Sequence, residues 1–512
     1  MKYSVKNYPD IMARVEKMDV ESLLLAVICP DINADGALSY HPTSVFIHPT
    51  TSELAHSAAC RINSEALYPA LIVSDMEFGA GNMIKGATRF PSMRAAKESA
   101  DSALAYKMGE IAAKEARNTG YHWTFAPCVD ILFNSYNPVV HYRTAGDCAS
   151  DVIEYCGAYM RGLQDNGIVA TLKHFPGDGC SPDDQHVTTT VNPLSKEEWD
   201  DSFGEVYSQL IEQGAMTIMP GHIALPAYDE PDENGIYPPA TVSKRLLTDL
   251  LRKKLGFEGI IVSDAVSMNG FCGYMNLYHA SCAFLEAGGD CLLFMRGSDE
   301  YLYEMKKCIA EGRLSLTTLK DRAYRMLCFS RQYFETFPSD MPCELDAAWA
   351  DSVAREMTYK AVKVSRDRRG LLPVDLGKDS SVAHVVLFNP WVRDTSASDE
   401  LTEKLRAVAG RVEEIRDPGP DKLLEIAKSG EFDLIVCSVC EAPAWGLNTA
   451  KLCGPSSRNM MSGWMRYGTP AVFVAYDSTC FGEIYSPSVD TLIETHGVAK
   501  HTVDAVLELL VK

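Results

Sequence analysis

From about residue 20 to residue 335, short apolar runs of strand length alternate with amphipathic runs of helix length. The strand-like runs are "LLLAVICP", "PALIVSDME", "WTFAPCVDI", "GIVATLKHF", "GAMTIMPGH", "GIIVSDA" and "GDCLLFMRG". Between them lie stretches such as "RAAKESADSALAYKMGEIAAKEARN" and "SKRLLTDLLRKKLG". The latter opens on Ser243, whose hydroxyl can cap the first turn. It closes on Gly256, which tolerates the left-handed backbone of a helix end. Alternation of this kind predicts a parallel sheet covered by helices. Seven or eight such units in one stretch predict an α/β fold of the (β/α)8 TIM-like barrel type rather than an open sheet.

The pattern changes after residue 335. "DAAWADSVAREMTYKAVKV" reads as a helix and "GLLPVD" as a connector. "SVAHVVLF", "FDLIVCSV" and "TPAVFVAYD" then read as strands with helical segments between them. The expected organisation is a TIM-like barrel over residues 1–340, a helical linker over 341–374 and a smaller α/β sandwich domain over 375–512. A chain of 512 residues can bury both cores. Lys and Arg number 48 against 69 Asp and Glu, a net charge of −21. Such a chain repels phosphate backbones and anionic lipid, so neither nucleic acid nor a membrane is an expected partner. The 16 cysteines, including the Cys437–Cys440 CxxC, sit mostly in apolar runs, as reduced buried thiols do. The N-terminal segment is charged and lacks a signal-like apolar core, and no run is long enough to span a bilayer, so the expected location is cytoplasmic.

The strand-like runs end on polar residues: Asp75, Asp130, His174, His222, Asp264 and Arg296. In a barrel these ends converge on the face that carries active sites. Asp264, closing "GIIVSDA", can attack an electrophilic carbon, ligate a metal or cap the next turn. The loop "KHFPGDGCSPDDQH" spans Lys173 to His186. Its glycines permit close backbone approach to a ligand, and its Phe175–Pro176 step predicts a cis bond. Asp184 and His186 are two apart, so the carboxylate can orient the imidazole and stabilise its protonated form. A carboxylate nucleophile, an oriented imidazole and several hydroxyl-binding groups suit a sugar. Retaining glycoside cleavage needs a nucleophile below the ring and a proton donor beside the leaving oxygen.

These segments resemble glycoside hydrolase family 3, and within it the β-N-acetylhexosaminidase branch. "KHFPGDG" followed by Asp184 and His186 resembles that branch's K-H-F-P-G-[HD]-G…D-x-H signature. "PPATVSKRLLTDLLRKKLGFEGIIVSDAVSM" resembles the segment leading to the family's nucleophile, and "VAREMTYKAVKVSRDRRGLLPV" the linker into its α/β sandwich. The resemblance implies a retaining mechanism with Asp264 as nucleophile and His186, assisted by Asp184, as acid/base. It places Asp75, Arg143, Lys173 and His174 at sugar-binding positions, with His222 and Met268 expected beside them. The implied activity is exo-acting release of terminal N-acetylglucosamine from cell-wall fragments or chitooligosaccharides, as in peptidoglycan recycling, with no cofactor or metal and a small carbohydrate as partner. The sequence departs from the branch at its first sugar loop. Where the branch reads D-Q-E-G-G-R-V, this chain reads "DMEFGAG", with Ala80 at the arginine position and Arg89 or Arg94 as candidate substitutes.

Other readings stay open. A phosphorylase would resolve the glycosyl-enzyme with phosphate, which a carboxylate base would repel and an imidazole would not. A β-glucosidase or a non-catalytic sugar-binding protein could share the fold. A metal-dependent barrel hydrolase would recruit His174, Asp178, Asp184, His186, His222 and Asp264 as ligands. Were His186 not the proton donor, Glu77 or His222 would be the next candidate.

Overall fold

The computed structural model describes residues 2–65, 68–338, 343–392, 394–442, 445–478 and 481–512. All seven strand-like runs contribute parallel strands around one ring. The strands are β1 (Ile28–Cys29), β2 (Asp31–Ile32), β3 (Ser44–Ile47), β4 (Leu71–Ser74), β5 (Trp123–Thr124), β6 (Val169–Phe175), β7 (Thr217–Pro220), β8 (Ile260–Ile261) and β9 (Leu292–Leu293). A continuous ladder runs from β2 through β8 in chain order. A Val262–Cys291 bridge then leads to β9, which pairs with β1. Because β1 and β2 are one stave interrupted at Pro30, the ring is a closed eight-stave parallel barrel. Its interior and its helical coat form one continuous apolar cluster.

Two details differ from the sequence reading. The run "LLLAVICP" is split: Val20–Ala26 is a helix whose first turn is capped by Asp19, which accepts from Ser22 N at 2.7 Å, and the strand begins only at Ile28. The cap decides between helix and strand where periodicity over so few residues cannot. Strand β3 has only four residues, too few for apolar periodicity to mark it in the sequence. The link from residue 33 to 43 carries no helix, being too short for a helix and both its connections. The helix Arg245–Lys254 matches its sequence signals. Ser243 Oγ accepts from Leu246 N at 3.1 Å, and Gly256 has φ +72°.

After the barrel, the helix Ala347–Ala361 is followed by β10 (Lys363–Asp367), which pairs antiparallel with β15 (Thr491–Glu494). The 341–374 segment is therefore not a purely helical linker, since its second half supplies an edge strand. The expected boundary at 340/341 lies outside the described residues. The second sheet comprises β11 (Ser381–Phe388), β12 (Arg411–Arg416), β13 (Leu434–Cys440), β14 (Ala471–Tyr476) and the two just named, in the order β10-β15-β14-β13-β11-β12. Apolar clusters cover both its faces, which makes it an open α/β layer structure. Cys437 and Cys440 lie buried in β13, where burial pushes both thiols up. The two units are joined by Ser92 Oγ donating to the His496 carbonyl and by the Lys363–Glu98 and Lys360–Asp101 ion pairs. Among the described residues, no helix is long and apolar enough to cross a membrane.

Candidate active site

Asp264 leaves the end of β8 into the barrel mouth. Its Oδ1 accepts from Ala265 N at 2.7 Å, and its Oδ2 lies 3.9 Å from His174 Nε2. Burial alone would raise its pKa. Its interaction with the imidazoles of His174, His222 and His186 outweighs that and holds the carboxyl below its ordinary value. His174 is fixed from behind: its Nδ1 meets Asp130 Oδ2 at 2.7 Å, and its backbone N–H donates to Asp130 Oδ1 at 3.1 Å. Asp130 also accepts from Asp178 N at 2.7 Å. A wholly buried carboxylate thus aims the second nitrogen of His174 at Asp264. Phe175–Pro176 is cis, as expected, and so is Lys173–His174.

Beside this pair lies a charge network on the ends of β4 and β6. Lys173 Nζ bridges Asp75 Oδ1 at 3.1 Å and Glu77 Oε1 at 2.7 Å. Arg143 grips Glu77 with two parallel hydrogen bonds of 2.8 Å each and donates a third to the Val139 carbonyl. Burial opposes charge on Glu77, but Arg143 and Lys173 overcome it and hold the carboxyl far below its usual range. Glu77 therefore stays ionised and cannot serve as the reserve proton donor. Three of the five Arg143 N–H groups are spent on the protein. Asp75 is the open member of the network, with 36% of its side chain exposed.

The Asp184–His186 pair is formed. His186 Nδ1 donates to Asp184 Oδ1 at 2.6 Å, and the His186 backbone N–H reaches the same oxygen at 2.8 Å. Asp184 is wholly buried. Burial would raise its pKa, yet its hydrogen bonds to His186 and to Gly446 N hold it low. Two of its partners come from the second unit: Gly446 N donates to Asp184 Oδ2 at 2.7 Å, and Asp184 N donates to Asn448 Oδ1 at 2.8 Å. Trp445 lies nearly parallel to the His186 ring at 6.0 Å, and Arg143 faces the same indole at 6.0 Å. Asn269 N donates to the His186 carbonyl at 3.0 Å, tying the dyad to the turn that follows Asp264. Sequence reasoning missed Trp445, Gly446 and Asn448, and no local signal marks them. It flagged Asp130 only as a strand end, without its partner.

Other expected residues are placed differently. His222 is fully buried: its Nε2–H donates to the Ala265 carbonyl at 3.1 Å, and its Nδ1 accepts from Thr241 Oγ1 at 3.1 Å. Burial pushes its pKa down to about 4. A neutral ring with both nitrogens engaged contacts no ligand and donates no proton, so His222 instead braces the Asp264 turn from behind. Met268 sits at the N-terminal boundary of the short helix after that turn and is 7% exposed. Ala80 is buried in a turn whose Asn82 side chain donates to the Asp75 carbonyl. Neither candidate arginine fills the vacated role, because Arg94 is paired with Glu98 at 2.9 Å and Arg89 lies over Phe78 at the domain interface. The ligand set of the alternative metal-dependent reading is not gathered at one point among the described residues. Among the described residues, the buried group of ligand types within reach of one point is Cys128, Asp130 and His174, and there the carboxylate and imidazole already satisfy each other.

A cleft at the C-terminal face of a parallel barrel, finished by a loop from an appended α/β sheet, defines a two-domain barrel protein organised around a buried carboxylate and an oriented imidazole. The profile of the glycosyl hydrolase family 3 N-terminal domain matches residues 37–329, and the chain belongs to that family. A relative from Cellulomonas fimi named β-N-acetylglucosaminidase/β-glucosidase is 33% identical over 343 residues, covering 65% of this chain and 61% of the relative. A β-hexosaminidase of Methylobacillus flagellatus is 32% identical over 239 residues, covering 45% and 66%. The chain thus spans less than two thirds of the length of these relatives. Among solved structures, a β-glucoside phosphorylase superposes with a TM-score of 0.89 at 25% identity, over 99% of this chain and 94% of the other. A β-N-acetylglucosaminidase from Paenibacillus sp. str. FPU-7 shares the fold, with a TM-score of 0.80 at 22% identity over 96% of each chain.

Proposed function

We propose that the protein is a retaining, exo-acting β-glycosidase that releases terminal N-acetylglucosamine from cell-wall fragments or chitooligosaccharides. The observation that carries this reading is the Asp184–His186 dyad tied across to the turn bearing ionised Asp264. In the first step an Asp264 oxygen attacks C1 from below the ring. The glycosidic C1–O bond breaks, and protonated His186 delivers its proton from Nε2 to the departing oxygen. In the second step neutral His186 takes a proton from an incoming water, whose oxygen attacks C1 and frees the Asp264 carboxylate. Two inversions at C1 give net retention. Asp75, about a third exposed beside Lys173, would accept sugar hydroxyls, and Lys173 would donate to them. Replacing Asp264 by Ala is expected to slow turnover by at least about 10³-fold, and a 2-fluoro sugar with a good leaving group should label Asp264 in the parent protein. Label found on another carboxylate would refute the assignment.

One observation favours a second reading, in which phosphate replaces water: the near full-length similarity to a β-glucoside phosphorylase. An imidazole base carries no negative charge to repel the anion. Aryl β-N-acetylglucosaminide and aryl β-glucoside, each assayed with and without phosphate, separate the possibilities. Free sugar at an undiminished rate without phosphate supports hydrolysis, whereas a phosphate-dependent rate yielding a sugar 1-phosphate supports phosphorolysis. The ratio of the two aryl rates decides the glycone.

A further inference from the structure

We propose that the cavity between the barrel and the second sheet is a saccharide-binding site separate from the Asp264 cleft. It has a volume of about 600 Å³ and lies at the C-terminal ends of β11, β13 and β14. That volume is within the usual range for a small-molecule site of roughly 300–1,000 Å³. The parallel strands of the second sheet run in the order β12-β11-β13-β14-β15, so the chain reverses its direction of travel across the sheet between β11 and β13. Open α/β sheets bind ligands at such a reversal, outside the carboxyl ends of the strands. The barrel closes the other side with Tyr142 and Arg89. Tyr142 is adjacent in sequence to Arg143, which holds Glu77 in the catalytic cleft, yet Asp264, His186, Asp184 and Lys173 do not line this cavity.

The lining selects the ligand class. Trp391, held by its indole N–H on the Ala442 carbonyl at 3.0 Å, and Tyr142 offer aromatic faces for the C–H face of a sugar. The Arg89 guanidinium acts on Asp477 and Asp394 across the cavity, and the buried Tyr476 closes its floor at the end of β14. Asp394, fixed by Ser396 N at 2.9 Å, and Asp477 supply acceptors. Asp477 leaves β14 in the left-handed region, with φ +52°, which turns its side chain off the strand. Among the described residues the lining sets these carboxylates and Glu400 beside Arg89 and Lys500, and this mixture of acceptors, donors and aromatic faces suits a polyhydroxylated ring. Such a ring could belong to the far end of a long substrate or to a free sugar.

The test uses the full chain with Asp264→Ala, so that sugars persist, and calorimetric titration with cellotriose and with N,N′,N″-triacetylchitotriose. Two binding events are expected with at least one of the probes. One of them should weaken about tenfold or more in both Trp391→Ala and Arg89→Ala. Arg89 is exposed, so its loss leaves the fold intact. In the chain with Asp264 restored, a source in distal substrate rings predicts that Trp391→Ala lowers kcat/KM about fivefold or more for the trisaccharide but not for the disaccharide. A free-sugar source predicts no length dependence. A single event abolished by both substitutions supports the cavity and counts against the catalytic cleft as the sugar site. Binding that both substitutions leave unchanged, or no binding of either probe, overturns the proposal.

Discussion

Asp178 shows how burial writes itself into pH dependence. Its side chain is 2% exposed and its Oδ2 lacks a hydrogen bond among the described residues. Burial first, and then the Asp130 charge, push its carboxyl from 3.8 up to about 6. The folded value exceeds the unfolded one, so the folded state prefers the neutral acid. That preference contributes fully below pH 4 and is lost as pH rises towards 6. Asp178→Asn is therefore expected to leave stability near pH 4 unchanged and to raise it at pH 7.5 by ~1–3 kcal/mol. Urea unfolding at the two pH values checks this, and equal effects at both would contradict it. His186 carries the second test. His186→Ala should slow substrates with poor leaving groups by about 10²–10⁴-fold. Activated aryl glycosides, which leave without a proton, should be slowed far less in the first step, with azide restoring part of the second. If His186 only holds its loop, good and poor leaving groups will suffer alike.

The connections between secondary-structure elements depend on a few backbone positions. The helices Ser102–Asn118 and Gly157–Asp165 approach so closely that a Cβ on Gly109 would meet the Tyr159 carbonyl, and one on Gly162 the Tyr106 carbonyl. Gly497, after β15, has φ +126° and lies against the Pro91 carbonyl of the barrel. Gly497→Ala combines strain with a clash at the domain junction, and a loss of ~1–3 kcal/mol is expected. Gly377→Ala is the control, since a methyl there meets nothing and the backbone is ordinary. Thermal unfolding of the two variants should separate them clearly, and similar melting temperatures would show that the Gly497 contact yields at no cost.

Taken together, the two units share one cleft: the barrel supplies Asp264 and the dyad, and the second unit supplies the hydrogen bonds that hold Asp184. Asn448→Gly tests this dependence. Glycine keeps the backbone that Asn448 adopts at φ +55° but removes the acceptor for the buried Asp184 N–H. Leaving that group unpaired costs ~1–3 kcal/mol. Turnover of poor leaving groups is expected to fall about tenfold, with a smaller loss on activated aryl glycosides measured side by side. Equal rates in variant and parent would mean that the dyad needs no support from the second unit.

How much of this was legible beforehand follows from how local each cause is. The barrel class, a smaller second α/β unit and the place of Asp264 at a strand end were readable. Apolar periodicity reports burial directly, and strand-end polar residues collect at the barrel mouth or just behind it. The helix within "LLLAVICP", the edge strand Lys363–Asp367 and the short β3 were not, because a cap or a pairing partner outweighs the pattern of a few residues. The roles of Glu77, Arg143 and His222 were equally hidden. A glutamate reads the same whether it is a proton donor or, as here, a counter-ion between Arg143 and Lys173. A histidine reads the same whether it faces a ligand or is spent on Thr241 and Ala265. The sequence alone determined which residue types reach the mouth of the barrel. Tertiary structure alone decided which of them remain open to a ligand, because burial and ion pairing depend on neighbours far away along the chain, such as Trp445 beside His186.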